Sequence, residues 1–502
     1  MEPKGVSMNY IEEAKKLVRC LEQRMGPSPY DIAWMARLRN GNDSSRWPDL
    51  IDWLLENQRP NGSWGGEIEY YHDRIICTLA AMIALRENGS DQACEEAVKR
   101  GESYLWHHIP LLSRDPFELS GFELVFPTLL AEARDLDLDI PSHAYGYGQV
   151  QAEKLRLIPP QLLYSPNIST VYSLEFLGKA GDPELLAQAL GDNGSLGNSP
   201  AATAYYSLLT DDGHALTYLR TVIEEERIVT VYPFRTFELS WVLNNLAFSG
   251  VPVTEFAREE QIHALRSRMR PTGFTLDPTF NVTDGDITSV CCAVLRRAGC
   301  AVDPSVLARF QDDETDIFHT YDYERNISVS TNAHALEALN VMTDYPNRDQ
   351  VKEHVIVALL DNREQNTYWV DKWHASPYYP TAHALVALLQ EGPHIVYACR
   401  AAIDWLLHTQ REDGSWGFFG RGTKEETAYA LLALLHYNCL APVDPDILHR
   451  GAGYLARQRQ NSDTDYPELW LAKSIYAPHS IIESAILATL IRYTETFGQR
   501  IP

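Results

Sequence analysis

The 502-residue chain repeats itself, and that repetition restricts its fold more than any other feature. Gln58-Arg59-Pro60-Asn61-Gly62-Ser63-Trp64-Gly65 follows the helical run Leu50 to Leu55, and Gln410-Arg411-Glu412-Asp413-Gly414-Ser415-Trp416-Gly417 follows Ile403 to Leu407 in the same way. Gln-x-x-x-Gly-x-Trp at a helix end has a mechanical sense: the glycine permits a left-handed turn, the Gln amide reaches freed helix-end groups, and the Trp covers the junction. Weaker echoes occur at Arg270-Pro271-Thr272-Gly273-Phe274, at Phe318 and at Gln365-Asn366-Thr367-Tyr368-Trp369. The aromatic markers Phe274, Phe318, Trp369 and Trp416 stand 44, 51 and 47 residues apart, the period of a two-helix repeat. Helical pairs of this period build either an open solenoid or a closed double ring around a central cavity. The polar caps of an open array are not evident, so the spacing predicts an all-α fold of closed helical rings.

The length exceeds what one compact core serves and implies more than one domain. Tyr10 to Leu21 forms an amphipathic first helix that ends near Gly26-Pro27. A charge run at Glu224-Glu225-Glu226-Arg227 gives way to Ile-Val-Thr-Val-Tyr-Pro and marks a boundary near residue 225. Two helical domains pressed together leave a cleft, and ligand sites favour clefts. A formal charge of -25 with no Lys/Arg cluster argues against a nucleic-acid partner. Met1 to Asn9 has no leader pattern, and apolar stretches such as Cys77 to Leu85 are too short to span a bilayer, so a cytoplasmic protein is expected. Eight cysteines without a Cys-x-x-Cys pair or a matching His spacing offer no zinc site.

The chemistry concentrates in Asn281-Val282-Thr283-Asp284-Gly285-Asp286-Ile287-Thr288-Ser289, where two carboxylates open an almost uncharged helical run. Desolvation and a like charge nearby favour the neutral acid, so one member of such a pair keeps its proton while the other ionises. The competing reading is an Asp cap, with Asp284 or Asp286 satisfying the first amides of the helix. His334 lies on a helical Ala-His-Ala-Leu run, where a lone His is ordinarily a core residue.

With the Asp-x-Asp, the Gln-Trp staples and the helical repeat, the chain resembles a bacterial class II terpene cyclase of the copalyl-diphosphate-synthase type. The matching segments run nearly end to end: Tyr30-Asp31-Ile32-Ala33-Trp34, Gly121-Phe122-Glu123, Asp284-Gly285-Asp286, Asn332-Ala333-His334-Ala335-Leu336, Trp369-Val370-Asp371-Lys372-Trp373, Ser376-Pro377-Tyr378-Tyr379 and Leu469 to Tyr476. The resemblance implies two all-helical double-ring domains with the active site between them. Residues 1–25 would form a first helix packing with the second domain, 26–225 an inserted domain, and 226–502 the domain carrying the acid. Such an isomerase protonates the far alkene of a linear prenyl diphosphate, here geranylgeranyl diphosphate, and yields a bicyclic labdane-, halimane- or clerodane-type diphosphate. A downstream class I terpene synthase or phosphatase would consume that product.

Residue by residue, the resemblance makes Asp286 the proton donor and Asp284 its accompanying carboxylate. Ile287 stands where the family has another Asp, leaving Thr288 or a water to replace its hydrogen bond. A carbocation needs a dry cavity with electron-rich walls, for which Trp369, Trp373, Tyr378 and Tyr379 are candidates, with a place in the repeat core as the alternative. Asp115, Glu118 and Glu123 fall in the family's magnesium-diphosphate region, and Mg2+ takes hard oxygen ligands. Lys372 and Lys473 are candidate phosphate partners, and His334 is a candidate for the final deprotonation.

Asp312-Asp313-Glu314-Thr315-Asp316 fits the aspartate-rich motif of class I synthases, but without a companion motif it reads as a solvated acidic turn. The rival readings are a farnesyl-diphosphate or squalene cyclase, a zinc-dependent protein prenyltransferase subunit and a non-catalytic helical scaffold.

Overall fold

The indole of Trp416 shows how the repeat folds. Its Nε1 donates to Leu406 O at 2.8 Å, closing the end of the outer helix Val396–Thr409, and its backbone N–H donates to Thr427 Oγ1 of the next inner helix at 3.0 Å. Trp64 does the same with Leu54 O and Thr78 Oγ1, at 2.7 and 3.0 Å, and Trp369 with Leu359 O and Thr381 Oγ1, at 2.6 and 3.0 Å. The Gln amides tie successive outer helices together. Gln58 Nε2 donates to Gly62 O in its own turn and to Ala97 O in Gln92–His108, and Gln410 Nε2 to Gly414 O and to Ile447 O in Pro445–Gln460.

The computed structural model describes residues 5–41, 44–88, 91–141, 146–460 and 466–498; Met1 to Lys4, part of the stretch read for a leader, lie outside them. In the second domain six inner helices close a ring: Arg235–Ala247, Gly285–Arg297, Val329–Val341, Tyr378–Leu389, Lys424–Asn438 and His479–Phe497, the last packing back on the first. Inner members are apolar on every side, as in Tyr378–Leu389, where every residue is buried. Outer members keep one stripe, as in Arg348–Asp361, which buries only Val351, Val355 and Leu359. The first helix, Gly5–Arg19, lays Ala14 and Val18 into this core and packs on His479–Phe497.

The first domain closes a smaller ring from Pro29–Ala36, Tyr71–Asn88, Phe122–Asp135, Ser169–Ala180 and Pro200–Leu209. Its fourth member is a 3-10 segment broken at Ser173 and Gly178 rather than a regular helix. That irregular side faces the second domain. A hairpin, Trp470–Leu471 paired with Ile475–Tyr476, crosses between the domains: Leu469, Leu471 and Ile475 enter the first core while Trp470 stays in the second. Among the described residues no helix is long and apolar enough to cross a membrane.

Candidate active site

Between the two cores lies a cavity of about 250 Å³, and the Asp-Gly-Asp segment forms its inner end. Thr283–Asp284 pairs with Phe274–Thr275, and Gly285 passes so close to the backbone that a Cβ would sit 2.0 Å from His319 O. Only glycine fits between the two carboxylates. Asp284 is the N-cap of Gly285–Arg297 and accepts from Ile287 N–H at 2.9 Å, which leaves Asp286, in the first turn, uncommitted to capping. Both carboxylates are buried and line the cavity.

Asp286 Oδ1 lies 2.5 Å from His334 Nδ1, and His334 Nε2 lies 2.9 Å from His383 Nδ1. Asp371 fixes the helix carrying His334 from outside, accepting Val329 N–H at 2.8 Å and the Ser330 hydroxyl at 2.5 Å. Burial, then the charge of Asp286, pushes the Asp284 carboxyl up to about 7. Burial disfavours the His334 cation, but the adjoining Asp286 carboxylate outweighs it and raises the imidazole. Burial, then the charges of His334 and His374, holds His383 well below the usual range. His334 has both ring nitrogens engaged, one of them on Asp286, and does not line the cavity where a base for the final deprotonation would stand. Thr288 does not replace the missing carboxylate either: its Oγ1 accepts Phe274 N–H at 2.9 Å in the repeat's turn, and Ile287 presents an apolar wall beside the acid.

Aromatic rings enclose the inner end. Trp241 Nε1 donates to Tyr379 OH at 3.2 Å, Phe237 lies 4.7 Å from Trp241 and Trp470 lies 4.7 Å from Tyr379 between ring centroids. Of the four aromatics singled out in the sequence, Tyr379 and Trp373 line the cavity. Trp369 is spent on the staple to Leu359, and Tyr378 stacks on Trp405 at 4.7 Å in the repeat core.

The outer end is charged. Lys372 Nζ donates to Glu324 Oε2 and Asn326 O, each at 2.6 Å; Lys154 Nζ donates to Tyr323 O at 2.6 Å; Arg325 pairs with Glu118, and its Nε lies 3.6 Å from Glu123 Oε1. All of these basic and acidic side chains line the mouth. Glu118 and Glu123 bring hard carboxylate oxygens to the mouth, each beside the Arg325 guanidinium. Asp115 does not reach them, because its Oδ2 accepts the backbone and ring N–H groups of His72, both at 2.8 Å. Lys473 is also absent from the mouth: it is fully buried between the domains, bonded to Glu175 Oε1 at 2.6 Å and Ser199 Oγ at 2.7 Å. Asp312 caps its own turn, accepting Thr315 N–H and hydroxyl, contacts that hold its carboxyl down to about 2. It lies outside the cavity.

Sequence reasoning missed His383, the cavity-lining Lys154, Arg325, Phe237, Trp241 and Trp470, and Tyr321, which lines the cavity and hydrogen-bonds to Asp284. A signal existed for the first: Ala333-His334-Ala335-Leu336 recurs as Ala382-His383-Ala384-Leu385.

Residues 320–482 match the squalene-hopene cyclase C-terminal domain. The chain is 34% identical to the type B diterpene cyclase of Mycobacterium tuberculosis over 92% of its own length and 94% of that protein's. It is 30% identical to the (+)-kolavenyl diphosphate synthase of Herpetosiphon aurantiacus, covering 96% and 97% of the two chains. The solved ent-copalyl diphosphate synthase of Streptomyces platensis superposes with a TM-score of 0.78 at 28% identity, over 97% of this chain and 99% of that one. An acid pair at the closed end of an aromatic cavity, two helical ring domains and end-to-end relatives agree: the chain belongs to the class II diterpene cyclases, of the copalyl-diphosphate-synthase type.

Proposed function

We propose that the enzyme cyclises geranylgeranyl diphosphate to a bicyclic diphosphate and keeps the diphosphate attached. The observation that carries this reading is Asp286: a carboxyl bonded to an imidazole, buried at the aromatic end of a cavity whose other end is charged. The alkene terminus of the substrate enters toward Asp286, and the diphosphate remains among Lys154, Arg325 and Lys372. With Oδ1 held by His334, Oδ2 of Asp286 carries the proton that is delivered to the alkene. Asp284, pushed by burial toward its neutral form, limits the negative charge beside the donor. As cyclisation proceeds, Trp241, Phe237, Tyr379 and Trp470 face the cationic carbons with electron-rich surfaces and no nucleophilic carboxylate of their own. Glu118 and Glu123 are the residues that would hold Mg2+, which when bound neutralises diphosphate charge. The (+)-kolavenyl and ent-copalyl diphosphate synthases among the relatives support a retained diphosphate.

The test is incubation of purified enzyme and magnesium with fifteen- and twenty-carbon prenyl diphosphates, followed by phosphatase treatment and product identification. A bicyclic twenty-carbon alcohol appears only after phosphatase. Release of pyrophosphate matched by hydrocarbon formation would sink the reading.

A further inference from the structure

The proposed reaction uses only the top of a polar column that runs down the bore of the second ring. Gly285–Arg297 carries Asp286 in its first turn and Arg297 at its last residue, a separation of roughly 16 Å along the helix axis. Between them, His334 and Glu337 share one face of Val329–Val341, His383 comes from Tyr378–Leu389 and Asn244 from Arg235–Ala247. All four are buried. Below the Asp286–His334–His383 bonds, a ring nitrogen of each histidine and a Glu337 carboxylate oxygen lie within 4.8 Å of one another. Glu337 Oε2 then accepts from Asn244 Nδ2 at 3.3 Å and lies 3.5 Å from Arg297 Nη2, while Arg297 Nη1 donates to Asn244 Oδ1 at 2.8 Å. The Arg297 side chain is 18% exposed and reaches the far rim.

Buried polar groups are costly unless satisfied, yet His383 Nε2 and Glu337 Oε1 have no hydrogen-bond partner among the described residues. A metal does not account for them. Both His334 nitrogens are already engaged, and the Arg297 guanidinium beside Glu337 opposes a cation. Burial lifts the Glu337 carboxyl above the usual range despite Arg297, while His383 is held low. One group therefore holds a proton readily and the other passes one on. Other charged or titratable groups acting on the column are Asp284 and Tyr379 near the acid, Asp371, His374 and Tyr429 near the histidines, and His436 and Arg492 at the rim.

We propose that Glu337 and His383 form a proton-supply line that restores the proton of Asp286 from the far rim at Arg297, separately from the substrate cavity. This rests on Asp286 being the acid. After Asp286 has protonated the alkene, its carboxylate takes a proton from His334 Nδ1. His334 Nε2 is refilled from His383 Nδ1, His383 Nε2 from the Glu337 carboxyl, and Glu337 from solvent water at the rim; rotation of the Asp286 carboxyl then turns the proton received on Oδ1 toward the cavity, and the two imidazoles return to their starting tautomers before the next turnover. The step from Glu337 is closed by a small rotation of its carboxyl or by one water. The product cation gives up one proton on the cavity side, so each turnover takes in one proton and releases one.

The experiment is Glu337→Gln with geranylgeranyl diphosphate and magnesium, read by rapid quench with enzyme in excess and again with substrate in excess. Single turnover stays within about threefold of the unaltered enzyme, because Asp286 starts protonated. Steady-state turnover falls at least tenfold, leaving a burst of one product per site. His383→Asn cuts the same line one step nearer the acid and gives the same burst, which covers a Glu337→Gln protein that fails to fold. Equal loss in both regimes, or no loss in either, would overturn the supply line. Absence of product from the unaltered enzyme would instead overturn the substrate assignment, and the line with it.

Discussion

Asp284 and Asp286 are separated by one residue and differ because the backbone treats them differently. Asp284 is tied to the helix start by its bond to Ile287 N–H, whereas the Asp286 side chain is bonded to His334. Asp286→Asn keeps size and polarity at a position that is not the cap, so its thermal melt moves little. Its turnover falls by at least about a thousandfold, a barrier increase of about 4 kcal/mol, because an amide has no acidic proton to give. A folded variant retaining a tenth of normal activity would place the proton elsewhere. Asp284→Asn preserves the cap, since Asn serves there about as well. The folded carboxyl titrates at about 7, above its ordinary 3.8, so the folded state holds the proton more tightly. The unaltered protein therefore loses stability as pH rises from about 4 to about 7, and Asp284→Asn removes that loss. Urea melts at pH 5 and pH 8 show the gap shifting toward the variant by up to about 3 kcal/mol at the higher pH. A gap independent of pH contradicts the assignment.

At the scale of elements, Trp369 and Trp373 stand four residues apart and do different work. Trp369→Phe keeps the ring but strands the buried Leu359 carbonyl, which costs about 1–3 kcal/mol in urea unfolding. Its single-turnover rate stays within about threefold, whereas Trp373→Ala, which opens the cavity wall, lowers that rate at least tenfold. A Trp369→Phe protein of normal stability and impaired rate reverses the two roles. This distinction was half legible in the sequence. The period of 44 to 51 residues pointed to helical pairs, since a Trp spaced ten residues beyond a helix-end carbonyl is a local device, and the lack of polar caps favoured closed rings over an open array. The acid pair was legible for the same reason: the cap, the glycine and the apolar run adjoin one another. Tyr378 and Tyr379 were not separable, because neighbouring helix positions point about 100° apart and only the ring's closure decides which one faces the bore. Lys154 and Arg325 had no local signal at all, because their meeting depends on the docking of two domains.

The whole molecule is held at the domain junction by the hairpin that presents Lys473. The family resemblance suggested a phosphate partner there, yet the ammonium is sealed under Tyr172, 4.4 Å from its ring, and neutralises Glu175. A buried pair of this kind stabilises little as a whole but is damaging to split, because the surviving charge has neither water nor a partner. Lys473→Met therefore destabilises the protein by about 3–5 kcal/mol, and adding Glu175→Gln returns much of that loss. Lys372 sits instead at the cavity mouth, 14% exposed and paired with Glu324. Lys372→Met leaves the melt within about 2 °C but raises KM for geranylgeranyl diphosphate at least tenfold, since a point charge facing the diphosphate is lost, about 1.4 kcal/mol of binding. The double variant Lys473→Met/Glu175→Gln separates the two lysines: with the junction uncharged and refolded, its KM stays near normal. Steady-state kinetics beside urea melts decide the matter, and a refolded double variant whose KM rises as far as that of Lys372→Met would return Lys473 to the substrate's diphosphate.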